Sequence, residues 1–186
     1  MDKYSVLKTY FGHTAFRQGQ ETLIDAILSG RDALGIMPTG GGKSLCYQIP
    51  ALLLPGVTLV ISPLISLMKD QVAALERSGI PAAYINSTLS LEELRQVYRR
   101  TRQGAYKLLY VAPERLDTEG FASLAREMDI SLAAVDEAHC ISQWGQNFRP
   151  SYLKISDFVA SLPQRPPWMY SATSSGCWTW ARRSAV

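Results

Sequence analysis

Asp32-Ala33-Leu34-Gly35-Ile36-Met37-Pro38-Thr39-Gly40-Gly41-Gly42-Lys43-Ser44 is the stretch that decides the fold. A short apolar run leads into a glycine cluster, and Lys-Ser opens an apolar segment that reads as a helix to about Leu53. Strand, glycine loop and helix start together form a nest of backbone N–H groups that holds an anion. Gly40, Gly41 and Gly42 let the backbone approach a phosphate without a Cβ in the way. Lys43 is long enough to reach β and γ phosphates, and the Ser44 hydroxyl is a ligand for Mg²⁺. The strict phosphate-loop pattern asks for glycine five residues before Gly42, where this chain has Met37. The reading therefore rests on the strand before the loop and the helix after it.

Outward from this loop the chain alternates. Helical spacing covers Gln18 to Ser29, with Leu23, Ile24, Ile27 and Leu28 on one face. Val57 to Ile61 is a β-branched run bounded by Pro55-Gly56 and Pro63, which predicts a buried strand. A helix follows from Leu64 to Arg77, stopped before Gly79, then a strand at Ala82 to Ile85. Ser90 and Glu93 make a capping box for a helix to Arg102, whose Arg95, Arg99 and Arg102 read as a solvated basic face. Strands at Lys107 to Ala112, Leu132 to Val135 and Trp168 to Ala172 are separated by helices near Phe121 to Glu127 and Tyr152 to Ser161. Such alternation predicts an α/β fold with a mostly parallel sheet covered on both faces. Ligands bind such sheets beyond the carboxyl ends of the strands. Gly40 to Ser44, Ser62-Pro63, Pro113-Glu114 and Asp136-Glu137 all follow predicted strands.

At 186 residues the chain is one domain with room for a full core. A net charge of +3 gives no polybasic footprint, so nucleic-acid contact has to come from local placement. Cys46, Cys140 and Cys177 lack zinc-site spacing and read as reduced thiols of an intracellular, cytoplasmic protein. The charged N-terminal segment, Met1 to Phe16, does not read as a signal peptide. Leu45 to Met68 has no charged residue and is long enough for a membrane span. Pro50, Pro55, Gly56 and Pro63 divide it instead into a helix end, a turn, a strand and a new helix start.

The second chemical stretch is Asp136-Glu137-Ala138-His139-Cys140-Ile141-Ser142-Gln143-Trp144-Gly145-Gln146-Asn147-Phe148-Arg149-Pro150. Asp136, at a strand end, suits the metal-side acid of a phosphate-loop NTPase, and Glu137 suits the group that orients and deprotonates an attacking water. Trp144 and Phe148 offer flat faces on which bases stack without sequence preference. Arg149 adds phosphate or cation–π contact.

These motifs resemble those of RecQ-type DNA helicases in helicase superfamily two. The likeness runs through Phe11-Gly12-His13, Phe16-Arg17-Gln18-Gly19-Gln20, Met37 to Ser44, Ile61 to Gln71, Tyr110 to Leu116 and 136–150. It implies a three-layer RecA-like P-loop NTPase domain over residues 1–173, the first motor domain of a 3′-to-5′ helicase of DNA repair and recombination. It implies ATP and Mg²⁺, with Arg17 and Gln20 reading the adenine and His13 packing on it. Thr39, Gly40, Gly41, Gly42, Lys43 and Ser44 would hold the phosphates, and Ser44 and Asp136 the metal. Lys43, Asp136 and Glu137 would carry the catalysis. Ser62-Pro63-Leu64 and Pro113-Glu114-Arg115 would line a DNA track, and Trp144, Phe148 and Arg149 would sense single-stranded DNA. The DNA partner would be single strands and duplex junctions, and no membrane is involved.

The match departs from the family in two places. Gln146 and Asn147 stand where the family usually has His and Asp, which removes a titratable ring and a charge but keeps similar shape and hydrogen bonding. Coupling of DNA to the ATPase is expected to be weaker. Ser171-Ala172-Thr173 matches the family's Ser/Thr-Ala-Thr motif, but 174–186 lacks the helical apolar stripe that should follow and reads as an aberrant or truncated tail. Without the family's second motor domain, unwinding by this chain alone is not expected. The rival readings are a non-catalytic fragment that binds nucleotide or single-stranded DNA, an RNA-remodelling ATPase, and a gene fragment without function.

Overall fold

The computed structural model describes residues 1–38, 40–138 and 155–173. Their elements run α1 (Lys3–Phe11), α2 (Gln20–Leu28), β1 (Ala33–Met37), α3 (Leu45–Leu53), β2 (Val57–Ile61), α4 (Ile65–Arg77), β3 (Ala82–Ile85), α5 (Leu91–Arg102), β4 (Leu108–Val111), α6 (Glu119–Glu127), β5 (Ile130–Val135), α7 (Ile155–Ala160) and β6 (Trp168–Thr173). A short 3-10 turn spans Pro113–Arg115. The six strands form one sheet in the order β1-β6-β5-β2-β4-β3. Every neighbouring pair is parallel.

β2 and β4 are buried at every position, as expected of strands covered on both faces. One face carries Leu59, Ile61, Leu109, Val111, Ala133 and Val135 against Phe121 and Leu124 of α6 and Phe158 of α7. The other carries Val60, Leu108, Tyr110, Leu132 and Ala134 against α2, α3 and α4, through Ile27, Cys46, Tyr47, Met68 and Val72. The result is the three-layer architecture expected from the alternation. The uncharged stretch from Leu45 to Met68 divides as its prolines predict, into α3, β2 and the start of α4. No helix among the described residues is long and apolar enough to cross a membrane. The capping box on α5 is present in full.

The first helix, α1, does not appear in the sequence reading. Its apolar pattern is weak, and only Val6 and Leu7 are buried, against Ile24 of α2 and Ile49 of α3. Its ends are nonetheless marked. The Asp2 carboxylate accepts from the Ser5 N–H at 2.7 Å, and Gly12 ends the helix at φ +69°. Lys3 ties it to α2 by ion pairs to Glu21 (2.8 Å) and Asp25 (2.6 Å). At the other end of the fold, α7 begins at Ile155 among the described residues; its expected start at Tyr152 lies outside them.

Asp32 fixes how β1 meets β6. Its carboxylate accepts from the Trp168 N–H at 3.0 Å and from both Arg165 terminal nitrogens, at 3.3 and 2.6 Å. The Arg165 guanidinium beside it holds this carboxyl below its ordinary range.

Phe121 is fully buried, with its ring 5.7 Å from that of Phe158. Phe121→Ala is expected to cost about 3–5 kcal/mol of stability, read as a lower midpoint in urea unfolding with an unchanged slope.

Candidate phosphate and metal site at the carboxyl edge of the sheet

Because every pairing is parallel, the carboxyl ends of all six strands lie along one edge. β1 delivers the glycine loop to that edge, β5 delivers Asp136, and β6 lies between them. In register, Met37 faces Thr173 whereas Val135 faces Tyr170, so β1 and β6 end level and β5 stops three residues earlier.

The loop is shaped by backbone geometry that side chains resist. Gly40 and Gly42 sit at φ +76° and +78°, in the left-handed region. A Cβ on Gly41 would lie 2.9 Å from the Pro38 carbonyl oxygen. The turn is closed by the Gly41 N–H on Pro38 O at 3.0 Å. After it, the N–H groups of Leu45, Cys46 and Tyr47 wind onto the carbonyls of Gly42, Lys43 and Ser44. Thr39 lies outside the described residues. The close backbone approach and the glycine-only positions are what a phosphate cradle requires. Beside it, the oxygen set of Ser44 and Asp136 suits a hard divalent cation such as Mg²⁺.

Two of the three residues expected to read adenine lie on this loop. Gln20 is 1% exposed. Its amide nitrogen donates to the carbonyls of Gly42 (3.1 Å) and Gly41 (3.4 Å), and its amide oxygen accepts from the Arg17 N–H at 2.8 Å. The Arg17 guanidinium donates to the Gly40 carbonyl. A Cβ on Gly42 would fall 2.4 Å from the Gln20 amide nitrogen. Bracing of the phosphate loop by Gln20 was not legible in the sequence. His13 is exposed, just past the end of α1.

Asp136 is 8% exposed. Its N–H donates to Ile61 O at 2.8 Å, which ends the ladder between β5 and β2. Its carboxylate accepts from the Ser171 hydroxyl at 2.8 Å in a buried contact. Ser171 is thereby brought from far along the chain onto Asp136. Glu137 follows at φ +51°, the one non-glycine residue in the left-handed region among those described. That conformation costs about 1–2 kcal/mol, and strain of this kind gathers at functional sites.

Farther along the edge, Ser62 and Pro63 are buried and Leu64 is exposed. Pro113 is buried and Glu114 exposed, and an Arg115 terminal nitrogen donates to the Asn86 carbonyl at 3.0 Å. The Ser62 hydroxyl and the Asn86 amide nitrogen are buried with no hydrogen-bond partner among the described residues. His139, Trp144, Gln146, Asn147, Phe148, Arg149 and the 174–186 tail lie outside the described residues.

A glycine cradle and an acid pair on flanking strands of a parallel sheet define a phosphate-loop NTPase fold. The profile of the DEAD/DEAH box helicase family matches residues 17–177, and the chain belongs to that family. It is 53% identical over 91% of its length to the ATP-dependent DNA helicase RecQ of Haemophilus influenzae. It is 54% identical over 87% of its length to the RecQ of Bacillus subtilis. It spans about 28% of the length of each of these relatives. Among solved structures, the helicase MrfA bound to DNA superposes with a TM-score of 0.75 at 16% identity, over 94% of this chain and 26% of that one. A hypothetical ATP-dependent RNA helicase of Sulfolobus tokodaii gives 0.70 at 19% identity, over 91% of this chain and 50% of that one. The RecA-like fold expected from the sequence is the fold observed.

Ser171→Ala is expected to lower stability by about 1.5–3 kcal/mol, the range for a hydrogen bond to a charged group. Chemical denaturation against the parent measures it, and Ser171→Thr is expected to recover part of the loss.

Proposed function

We propose that this chain is the ATP-binding motor domain of a 3′-to-5′ DNA helicase that works in repair and recombination in the cytoplasm. The observation that carries the reading is one edge of one parallel sheet. It holds the glycine loop of β1, the Asp136-Glu137 pair of β5 and, between them, Ser171 bonded to Asp136. Lys43 would neutralise charge on the β and γ phosphates. Ser44 and Asp136 would hold Mg²⁺, which when bound offsets negative charge on the transferring phosphoryl group. Glu137 would orient the attacking water and take its proton. Ser62-Pro63 and Pro113 to Arg115 would face DNA along the same edge, with Trp144, Phe148 and Arg149 stacking on and pairing with a single strand. Single strands and duplex junctions are the DNA forms this arrangement suits.

Arg17 and Gln20, with His13, are assigned to the adenine. Both amide protons of Gln20 are engaged by the Gly41 and Gly42 carbonyls, and its oxygen accepts from the Arg17 N–H. Reading a base edge therefore means exchanging those bonds, which links base identity to loop conformation. Gln20→Ala is expected to bring the affinities for adenine and guanine nucleotides close together, measured by competition against a fluorescent nucleotide.

The test of the main reading is titration of the chain with a fluorescent ADP. Saturable binding is expected, and Lys43→Ala should weaken it by about tenfold or more, equivalent to 1.4 kcal/mol. Turnover should be slow, because an arginine finger from a second domain is worth roughly 10³–10⁵ in rate. Strand displacement by the chain alone should be absent. Failure to bind adenine nucleotides refutes the reading, and robust unwinding refutes the assignment as one half of a motor. Binding with no turnover at any DNA concentration would favour a non-catalytic module.

A further inference from the structure

The basic row on α5 has no role in the reading so far. The helix carries Arg95, Arg99, Arg100 and Arg102. Two of them are tied into the fold. Arg100 lies over the Tyr106 ring at 5.1 Å, and Arg102 pairs with Glu127 of α6 at 2.7 Å. Arg95 and Arg99 are exposed and make no ion pair or side-chain hydrogen bond among the described residues. They stand at i and i+4, where side chains are neighbours and like charges repel. With Glu92 and Gln96 they line a shallow groove along the helix. Leu91, 73% exposed, heads the same row.

Topology sets where the row lies. Along the carboxyl edge the strands run β5, β2, β4, β3, so the edge passes from Asp136 through Ser62-Pro63 and Pro113–Arg115 to Asn86. Arg115 donates to the Asn86 carbonyl at 3.0 Å, which joins the turn after β4 to the loop that enters α5. β3 and β4 are parallel, so α5, which connects them, runs from the carboxyl edge back toward the amino edge. At about 1.5 Å per residue, Arg95 and Arg99 lie about 8 and 14 Å down the helix from Ser90. β3 is the last strand of the sheet on this side. A chain that follows the edge past β3 therefore leaves the sheet at α5 and meets this row.

We propose that Arg95 and Arg99 form a second phosphate contact, which holds the backbone of single-stranded DNA where it leaves the track beyond β3. Unpaired guanidinium groups suit phosphate oxygens, and the exposed Leu91 offers an apolar surface to a sugar or base beside them. Glu92, at the head of the groove, repels the same backbone and weakens the contact. The proposal rests on the DNA reading above.

The experiment measures binding of a fluorescent oligothymidylate to the 186-residue chain over a range of KCl concentrations. The oligonucleotide has about 16 nucleotides, the upper end of single-strand site sizes. Arg95→Gln/Arg99→Gln is compared with the parent and with Lys8→Gln/Arg31→Gln, which removes the same charge from exposed positions on α1 and before β1. Each phosphate contact on a single strand contributes about 0.7 to the slope of log affinity against log salt, so the α5 variant should lose about 1.4 of slope. Its affinity should converge with the parent's at high salt, and Lys8→Gln/Arg31→Gln should keep the parent slope. Glu92→Gln should bind more tightly than the parent at low salt. Fluorescent ADP should bind all of these variants as it binds the parent. A parent slope in the α5 variant overturns the proposal. So does an equal loss of slope in Lys8→Gln/Arg31→Gln, which is the signature of bulk charge. A parent that binds no oligothymidylate at any salt concentration is a different failure. It removes the DNA reading and this proposal with it.

Discussion

The insertion of β6 between β1 and β5 is the constraint on which the site depends. Neighbouring strands lie about 4.8 Å apart, so one intervening strand sets β1 and β5 about 10 Å apart. That gap is wide enough for a phosphate chain and a cation between them. β6 also supplies the contact that holds the acid, through the Ser171 hydroxyl on the Asp136 carboxylate. The strand is the last of the described ones and lies inside the sheet, next to the edge strand β1. Its pairing with β1 is pinned at the far end by Asp32, which accepts from Arg165 and from the Trp168 N–H. Polar contacts at Trp168 and Ser171 thus fix the register of one strand, while Met169 between them is fully buried in apolar packing.

Much of this was legible because each strand announces itself by β-branched or apolar runs between turn residues, and because parallel pairing follows from the alternation. The phosphate loop and the acid pair were legible for a different reason. A glycine cluster between a strand and a helix, and paired acids directly after a strand, stand out by residue type and by the elements that flank them, even where strict spacing fails at Met37. α1 was missed because its burial is two residues deep and its docking relies on Lys3 pairing with Glu21 and Asp25. Pairings across such a distance in the chain leave no local pattern. A reading of its Asp2 cap and Gly12 stop would have found it.

Gln20, Tyr47 and Tyr110 mark a sharper limit. The sequence identifies Gln20 as a group suited to an adenine edge, yet it does not reveal that the amide is spent on loop carbonyls. Tyr47 and Tyr110 are core aromatics by burial. Their hydroxyls, 3.5 Å apart, and the amides of Gln48 and Gln71 become visible as one system only when α3 and β4 are brought together with α4. A buried hydroxyl without a partner carries a desolvation cost of about 1–3 kcal/mol. A chain of hydroxyls and amides that satisfy one another is the low-cost way to keep polarity beneath a charged site. Phenylalanine at both positions would have filled the same space with no such requirement.

The acid pair raises a geometric problem of its own. In a strand, successive side chains point to opposite faces. If β5 continued through residue 137, Asp136 and Glu137 would serve opposite sides of the sheet, and no single phosphate could use both. The ladder is closed at Asp136 by its N–H on Ile61 and by Ser171 on its carboxylate, so that residue cannot turn. The change of direction falls on Glu137, at φ +51°. Glycine there would relieve the strain but remove the carboxylate. Keeping glutamate in a left-handed conformation, at a cost of about 1–2 kcal/mol, breaks the alternation between two adjacent acids, which is what the proposed shared site requires.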